Sequence, residues 1–244
     1  MTSIVYGGRT NQGQPLGVLM LDTKFPRIPG DVGNAFTFDF PVRYYTVKDA
    51  SINRAVKMGD PSLLPPFIEG AKALEAAGCG AIATSCGFLV MFQQQLAAAV
   101  DIPVISSSLL QVPYVARMLG PDHKVGILTA RAASLGEKHF RGAGMADLDV
   151  AIKGMDEYPE FTRAFILDEP CMDVDLVEKE MEAAARSLVE TEPNLGAVVL
   201  ECTNMPPFAH IVRRVTARPV YDVYTLISHT VGALLRRPFP RTYL

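Results

Sequence analysis

The chain has 244 residues, of which 49% are apolar, 23 are Lys or Arg and 26 are Asp or Glu. That length suits one large domain or two of roughly 120 residues with separate cores, and a net charge of −3 without a basic cluster argues against a nucleic-acid partner. No run approaches the roughly 20 apolar residues of a membrane span, and the opening MTSIVYGGRTNQGQ lacks a secretory pattern, so a cytoplasmic protein with no membrane partner is expected.

Leu16 to Leu21, LGVLML, reads as a buried parallel strand ending at Asp22, an acid placed either to turn the chain or to meet a ligand. Thr23 to Pro65 is irregular: KFPRIPGDVGN holds two prolines and two glycines, and Phe36 to Val47 reads as one or two short strands broken at Pro41. So long a loop is often functional, and a lid over a site is one expectation for it. Pro65 to Gly78 reads as a helix with proline at its start and a glycine C-cap. A strand from Gly80 follows, then helix near Met91 to Ala99, strand Ile102 to Ser106 and helix Gln111 to Leu119. Gly120-Pro121-Asp122 breaks the chain.

After the break, Lys124 to Thr129 (KVGILT) restarts the pattern. Helix is expected over Ala132 to Phe140, a short strand over Val150 to Ile152, and a long amphipathic helix with early acids over Val174 to Glu190. A strand from Gly196, a helix from about Pro206, a strand at Pro219 to Tyr221 and a helix over Thr225 to Leu235 complete the chain. Alternating strands and helices mean parallel sheets.

The two halves echo each other. GAIATSCGF (Gly80 to Phe88) and GAVVLECTN (Gly196 to Asn204) each place a cysteine six residues after a glycine. Pro103-Val104 and Pro219-Val220 each follow their cysteine by 17 residues. The expected fold class is α/β, with two pseudo-symmetric parallel-sheet subdomains and a site in the cleft between them. Residues 1–119 with 221–244 would form the first and 120–220 the second, the last helix packing back on the first half.

Cys86 and Cys202 would then face each other at strand ends. Backbone N–H groups there favour a thiolate and can hold a carboxylate. Ser85, Gly87, Thr203 and Asn204 add small, uncharged hydrogen-bonding partners. Two such thiols suit proton removal from a carbon next to a carboxylate, with return to its opposite face. Cys79 and Cys171 read as structural; the four cysteines show no disulfide or metal spacing, and no histidine stands beside them, so no metal site is expected.

TSCGF, SSLLQVP (Ser107 to Pro113), VGILTA (Val125 to Ala130) and LECTNMPP (Leu200 to Pro207) resemble the aspartate/glutamate racemase superfamily, which includes hydantoin racemases and related decarboxylases and isomerases. The resemblance implies cofactor-independent racemisation, commonly in dimers, with Cys86 and Cys202 as bases and carboxylate contacts from Ser85, Gly87 and Thr203. Asp22 and Thr129 match its strand-end site positions. The first expectation is therefore a cofactor-free racemase or epimerase, an isomerase, of a small amino acid or related carboxylate, in a homodimer.

The pattern also departs from the family. Cys86 is followed by Gly87-Phe88 rather than Asn-Thr, and Cys202 is preceded by Glu201 and followed by Thr203-Asn204. An uncharged Asn204 fits a substrate without an amino group. The alternatives are a decarboxylase or cis–trans isomerase of a small diacid, of arylmalonate decarboxylase or maleate isomerase type, and a non-catalytic binding protein for a small acid. Arg27 and Arg43 are candidates to reach a second substrate carboxylate from the irregular loop.

Overall fold

The computed structural model describes Ile4 and residues 7–239. Two four-stranded parallel sheets are built from β1 (Leu16–Leu21), β2 (Val42–Val47), β3 (Ala81–Thr84) and β4 (Val104–Ile105), and from β5 (Lys124–Thr129), β6 (Val150–Gly154), β7 (Leu195–Leu200) and β8 (Val220–Tyr221). Their orders, β2-β1-β3-β4 and β6-β5-β7-β8, are the same topology twice. The inner strands β1, β3 and β7 are buried along their whole length, as the uninterrupted apolar runs require of a sheet covered on both faces. The edge strands β2 and β6 are only partly covered.

Helix α1 (Leu64–Ala76) starts on prolines and ends where Gly78 takes a φ of +95°. Next come α2 (Gln93–Ala98), α3 (Val112–Met118), α4 (Glu137–Gly142), the short α5 (Pro159–Phe161), α6 (Val174–Thr191), α7 (Ala209–Thr216) and α8 (Val223–Leu234). Val223, Ile227 and Val231 of α8 pack with Leu16, Val18 and Ala81 of the first sheet.

Three expectations shift. The helix expected from Met91 is shortened because residues 87–92 wind as a 3-10 turn immediately after Cys86. The helix expected over 132–140 splits into a 3-10 turn at 132–134 and α4, interrupted by extended Leu135 and Gly136. The irregular stretch 23–65 contains one strand, β2, starting just after Pro41, and a π-helical turn at Asn53–Met58. A second π-helical turn, Thr162–Ile166, follows β6 as the first follows β2. Insertions of this type often stand at functional sites.

Buried side chains join the halves. The Ser108 hydroxyl donates to the Leu200 carbonyl at 2.6 Å and the Thr203 hydroxyl to the Ser85 carbonyl at 2.7 Å, while the Gln111 amide holds the start of α8 to the first half by donating to the Asp222 carbonyl at 2.9 Å. Ser108 is fully buried, so Ser108→Ala should cost about 1–2 kcal/mol. Denaturant unfolding with an unchanged midpoint would show that this bond contributes nothing to joining the halves.

Candidate active site

The site forms where β1 and β3 of one half and β5 and β7 of the other end facing each other. In the first half the Leu21 N–H donates to the Ser85 hydroxyl at 2.8 Å, while the Ser85 N–H donates to the Leu19 carbonyl at 2.9 Å. In the second half the Ala130 N–H donates to Glu201 Oε2 at 3.3 Å, while the Glu201 N–H donates to the Leu128 carbonyl at 2.8 Å. Ser85 and Glu201 thus hold equivalent positions, each closing the strand end next to its cysteine. The Thr129 hydroxyl adds a second bond to Glu201 Oε2, at 2.8 Å. Glu201 Oε1 is buried without any hydrogen-bond partner.

Cys86 and Cys202 line one cavity together with Ser85, Gly87, Thr203, Asn204 and Glu201. Leu21, Ile52, Val56, Phe88, Phe165 and Ile166 close it with apolar surface. Ile52 adjoins the first π-helical turn and Val56 lies within it; Phe165 and Ile166 come from the second. The cavity measures about 20 Å³, room for about one water. The Cys202 thiol donates to Asn204 Oδ1 at 3.3 Å, and the Asn204 amide donates to Asp31 Oδ2 at 2.6 Å. Asp31 in turn accepts from Arg27 at 2.7 Å.

Burial dominates the electrostatics. It pushes the Cys86 thiol up to about 12, with Glu201 adding to the rise and the Phe88 and Leu89 N–H groups opposing it. Cys202 is raised well above the ordinary thiol value, by burial and then by Glu201, against the Asn204 N–H. The thiolate-favouring amides expected from the sequence are therefore present, but desolvation outweighs them. Glu201 itself is raised by burial from 4.5 to about 7, opposed by the bonds from Thr129 and Ala130.

Of the residues expected from the sequence, Cys86, Cys202, Ser85, Gly87, Thr203 and Asn204 come together around the cavity. Thr129 lies behind it as a partner of Glu201. Asp22 does not join them: its N–H bonds the Ala50 carbonyl, and its side chain is exposed outside the lining while Leu21 occupies the wall. Arg27 is held by Asp31 and Thr23, and Arg43 donates to Asn11 from the edge strand, so neither lines the cavity. Glu201 was overlooked as a site residue although its signal was visible, a carboxylate ending the apolar run LGAVVL. The first π-helical cover lies in the irregular stretch 23–65, for which a lid is one expectation; Asp31 and the second cover have no comparable signal.

Gly87 is fixed by proximity. A Cβ there would overlap Glu201 Oε1 and the Glu201 carbonyl oxygen, so the carboxylate and the turn after Cys86 require each other.

The raised Glu201 pKa predicts a pH-dependent stability. Between about pH 4.5 and 7 the folded chain retains a proton that the unfolded chain releases, so stability is greatest below that window and falls as pH rises through it. At about 1.36 kcal/mol per pKa unit the loss is of order 3 kcal/mol. Glu201→Gln should therefore gain about that much relative to the unaltered chain between about pH 4.5 and 8 in denaturant unfolding. An unchanged difference between the two chains would contradict the buried-carboxylate account.

Residues 49–228 match the profile of the Asp/Glu/Hydantoin racemase family. A dimethylsulfoniopropionate lyase from Durusdinium sp. clade D is 32% identical over 231 residues, covering 91% of this chain and 76% of the relative. Dimethylsulfoniopropionate lyase 7 from Emiliania huxleyi is 30% identical over 233 residues, covering 91% and 68%. Among solved structures, a Gly-to-Cys mutant of arylmalonate decarboxylase aligns with a TM-score of 0.62 at 14% identity, over 94% of this chain and 97% of that one. Allantoin racemase from Pseudomonas fluorescens aligns at 0.61 and 16%, over 94% and 99%. These structures share the two-subdomain α/β fold. The lyase relatives overturn the expectation of a racemase or epimerase, and with it that of an isomerase: proton return to the opposite face rests on the thiol pair and the family resemblance, and the same first step also serves an elimination. The chain belongs to the Asp/Glu/hydantoin racemase family.

Proposed function

We propose that this chain is a lyase that cleaves dimethylsulfoniopropionate, or a close relative carrying a sulfonium group on the carbon β to a carboxylate. The observation that carries this reading is the 32% identity to a dimethylsulfoniopropionate lyase across 91% of the chain. The geometry supplies a chemistry that fits. A cysteine thiolate takes a proton from the carbon next to the carboxylate. The electron pair of that C–H bond becomes the carbon–carbon double bond as the β C–S bond breaks. Dimethyl sulfide leaves with the C–S pair, and acrylate remains. The proton stays on the thiol until solvent removes it.

Backbone amides in the turns after Cys86 and Cys202 are available to hold the substrate carboxylate and the charge that develops on it. A cavity of about 20 Å³ does not admit this substrate. Entry requires the two π-helical turns to move apart, and their apolar side chains then exclude water over the bound molecule.

Cys86→Ser and Cys202→Ser, assayed separately for dimethyl sulfide release, should each lose at least about 100-fold in kcat/KM, the scale of a lost general acid or base. A variant that keeps the full rate would remove that cysteine from the reaction. Absence of dimethyl sulfide from the unaltered chain would remove the lyase reading itself.

A further inference from the structure

We infer that Glu201 is the specificity residue for the cationic end of the substrate, its free Oε1 forming the counter-charge to a sulfonium bound between the two cysteines. This rests on the lyase reading and deepens it.

The internal repeat separates the structural duty of Glu201 from anything further. In the first half, Ser85 satisfies the Leu21 N–H with one hydroxyl. In the second, Oε2 alone does the equivalent work for the Ala130 N–H, with Thr129 as a second donor. A serine would suffice for that closure, as its counterpart demonstrates. Glu201 lines the cavity, and its carboxylate leaves an extra oxygen that is fully buried, without a partner and close against Gly87 of the same lining. An unpaired buried acceptor is costly, and a buried charge needs a compensating charge. Among the described residues, none of the others lining the cavity is Lys, Arg or His. Arg27, the cation of the neighbouring network, is taken by Asp31 and Thr23. Above about pH 7, where Glu201 gives up its proton, the compensating charge therefore arrives with the ligand.

The surroundings suit a soft, poorly hydrated cation. Phe88 and Phe165 line the same cavity, and aromatic side chains attract sulfonium and quaternary ammonium groups. Glu201 also lies close enough to raise both thiols. A cation against its carboxylate cancels that negative field, so binding of the correct substrate eases formation of the thiolate that attacks it. A neutral molecule of the same shape leaves Glu201 uncompensated and the thiols protonated.

The test compares two unreactive ligands of matching shape, 3-(trimethylammonio)propionate and 4,4-dimethylpentanoate, which differ in the cationic charge. Calorimetric affinities would be measured at about pH 8 for the unaltered chain, Glu201→Gln and Glu201→Ser; the serine variant copies the solution found at Ser85 and guards against a folding failure. The unaltered chain should bind the ammonium ligand at least about 10-fold more tightly than the ligand with the uncharged tert-butyl end, a difference of about 1.4 kcal/mol. Both variants should lose that preference while still binding the tert-butyl ligand. Persistence of the preference in a folded variant, or its absence from the unaltered chain, would overturn the inference. Dimethyl sulfide release by the unaltered chain judges the lyase reading separately: release with no Glu201-dependent preference leaves that reading standing and removes this one. A Glu201-dependent preference without release does the reverse.

Discussion

The constraint on which this site depends is a carboxylate buried with one oxygen unpaired, wedged against a glycine and flanked by two thiols. Glu201 closes the end of β7 by accepting from Thr129 and Ala130. It excludes any side chain at position 87 and raises the pKa values of both cysteines. Its repeat counterpart Ser85 shares only the closure of the strand end. The two halves share a topology, but their strand ends are chemically unequal, and the second carries the charge.

That inequality bears on the fate of the carbanion. A family scaffold that removes a proton next to a carboxylate needs amides aimed at the carboxylate and a base placed beside the carbon. Returning the proton requires a second acid on the far face, whereas elimination requires a leaving group on the next carbon and a pocket that holds it. In this chain the proton on Cys202 already has an acceptor in Asn204, itself anchored through Asp31 to Arg27. The remaining polar resource is the unpaired oxygen of Glu201, suited to a positive leaving group. In the proposed elimination, dimethyl sulfide would depart as a neutral molecule, so that attraction would be gone and product release favoured.

The fold was legible in the sequence because apolar runs such as LGVLML and LGAVVL are long, uninterrupted and punctuated by Gly and Pro. The paired spacing around Cys86 and Cys202 exposed the repeat, and with it six of the residues that meet at the cavity. Asp22 was misplaced because a strand-end acid can turn either way, and the backbone bond to Ala50 sends it to solvent. The first π-helical cover lies in the irregular stretch 23–65 that suggests a lid, whereas Asp31 and the second cover depend on long-range packing that no local pattern encodes. Glu201 was visible as a letter, but its meaning came from comparison with Ser85 in three dimensions. The racemase expectation failed at the step where sequence pattern is weakest: two thiols next to bound carboxylate specify proton removal and leave the subsequent bond changes open.

The most direct test of the account is to follow dimethylsulfoniopropionate with the unaltered chain in D₂O by proton NMR, recording α-deuterium uptake and C–S cleavage in the same sample. The account predicts dimethyl sulfide and acrylate in equal amounts, with both products lost when Cys86 or Cys202 is replaced. Exchange of the α-protons with the C–S bond left intact would contradict it, because the site would then remove the proton without carrying out the elimination.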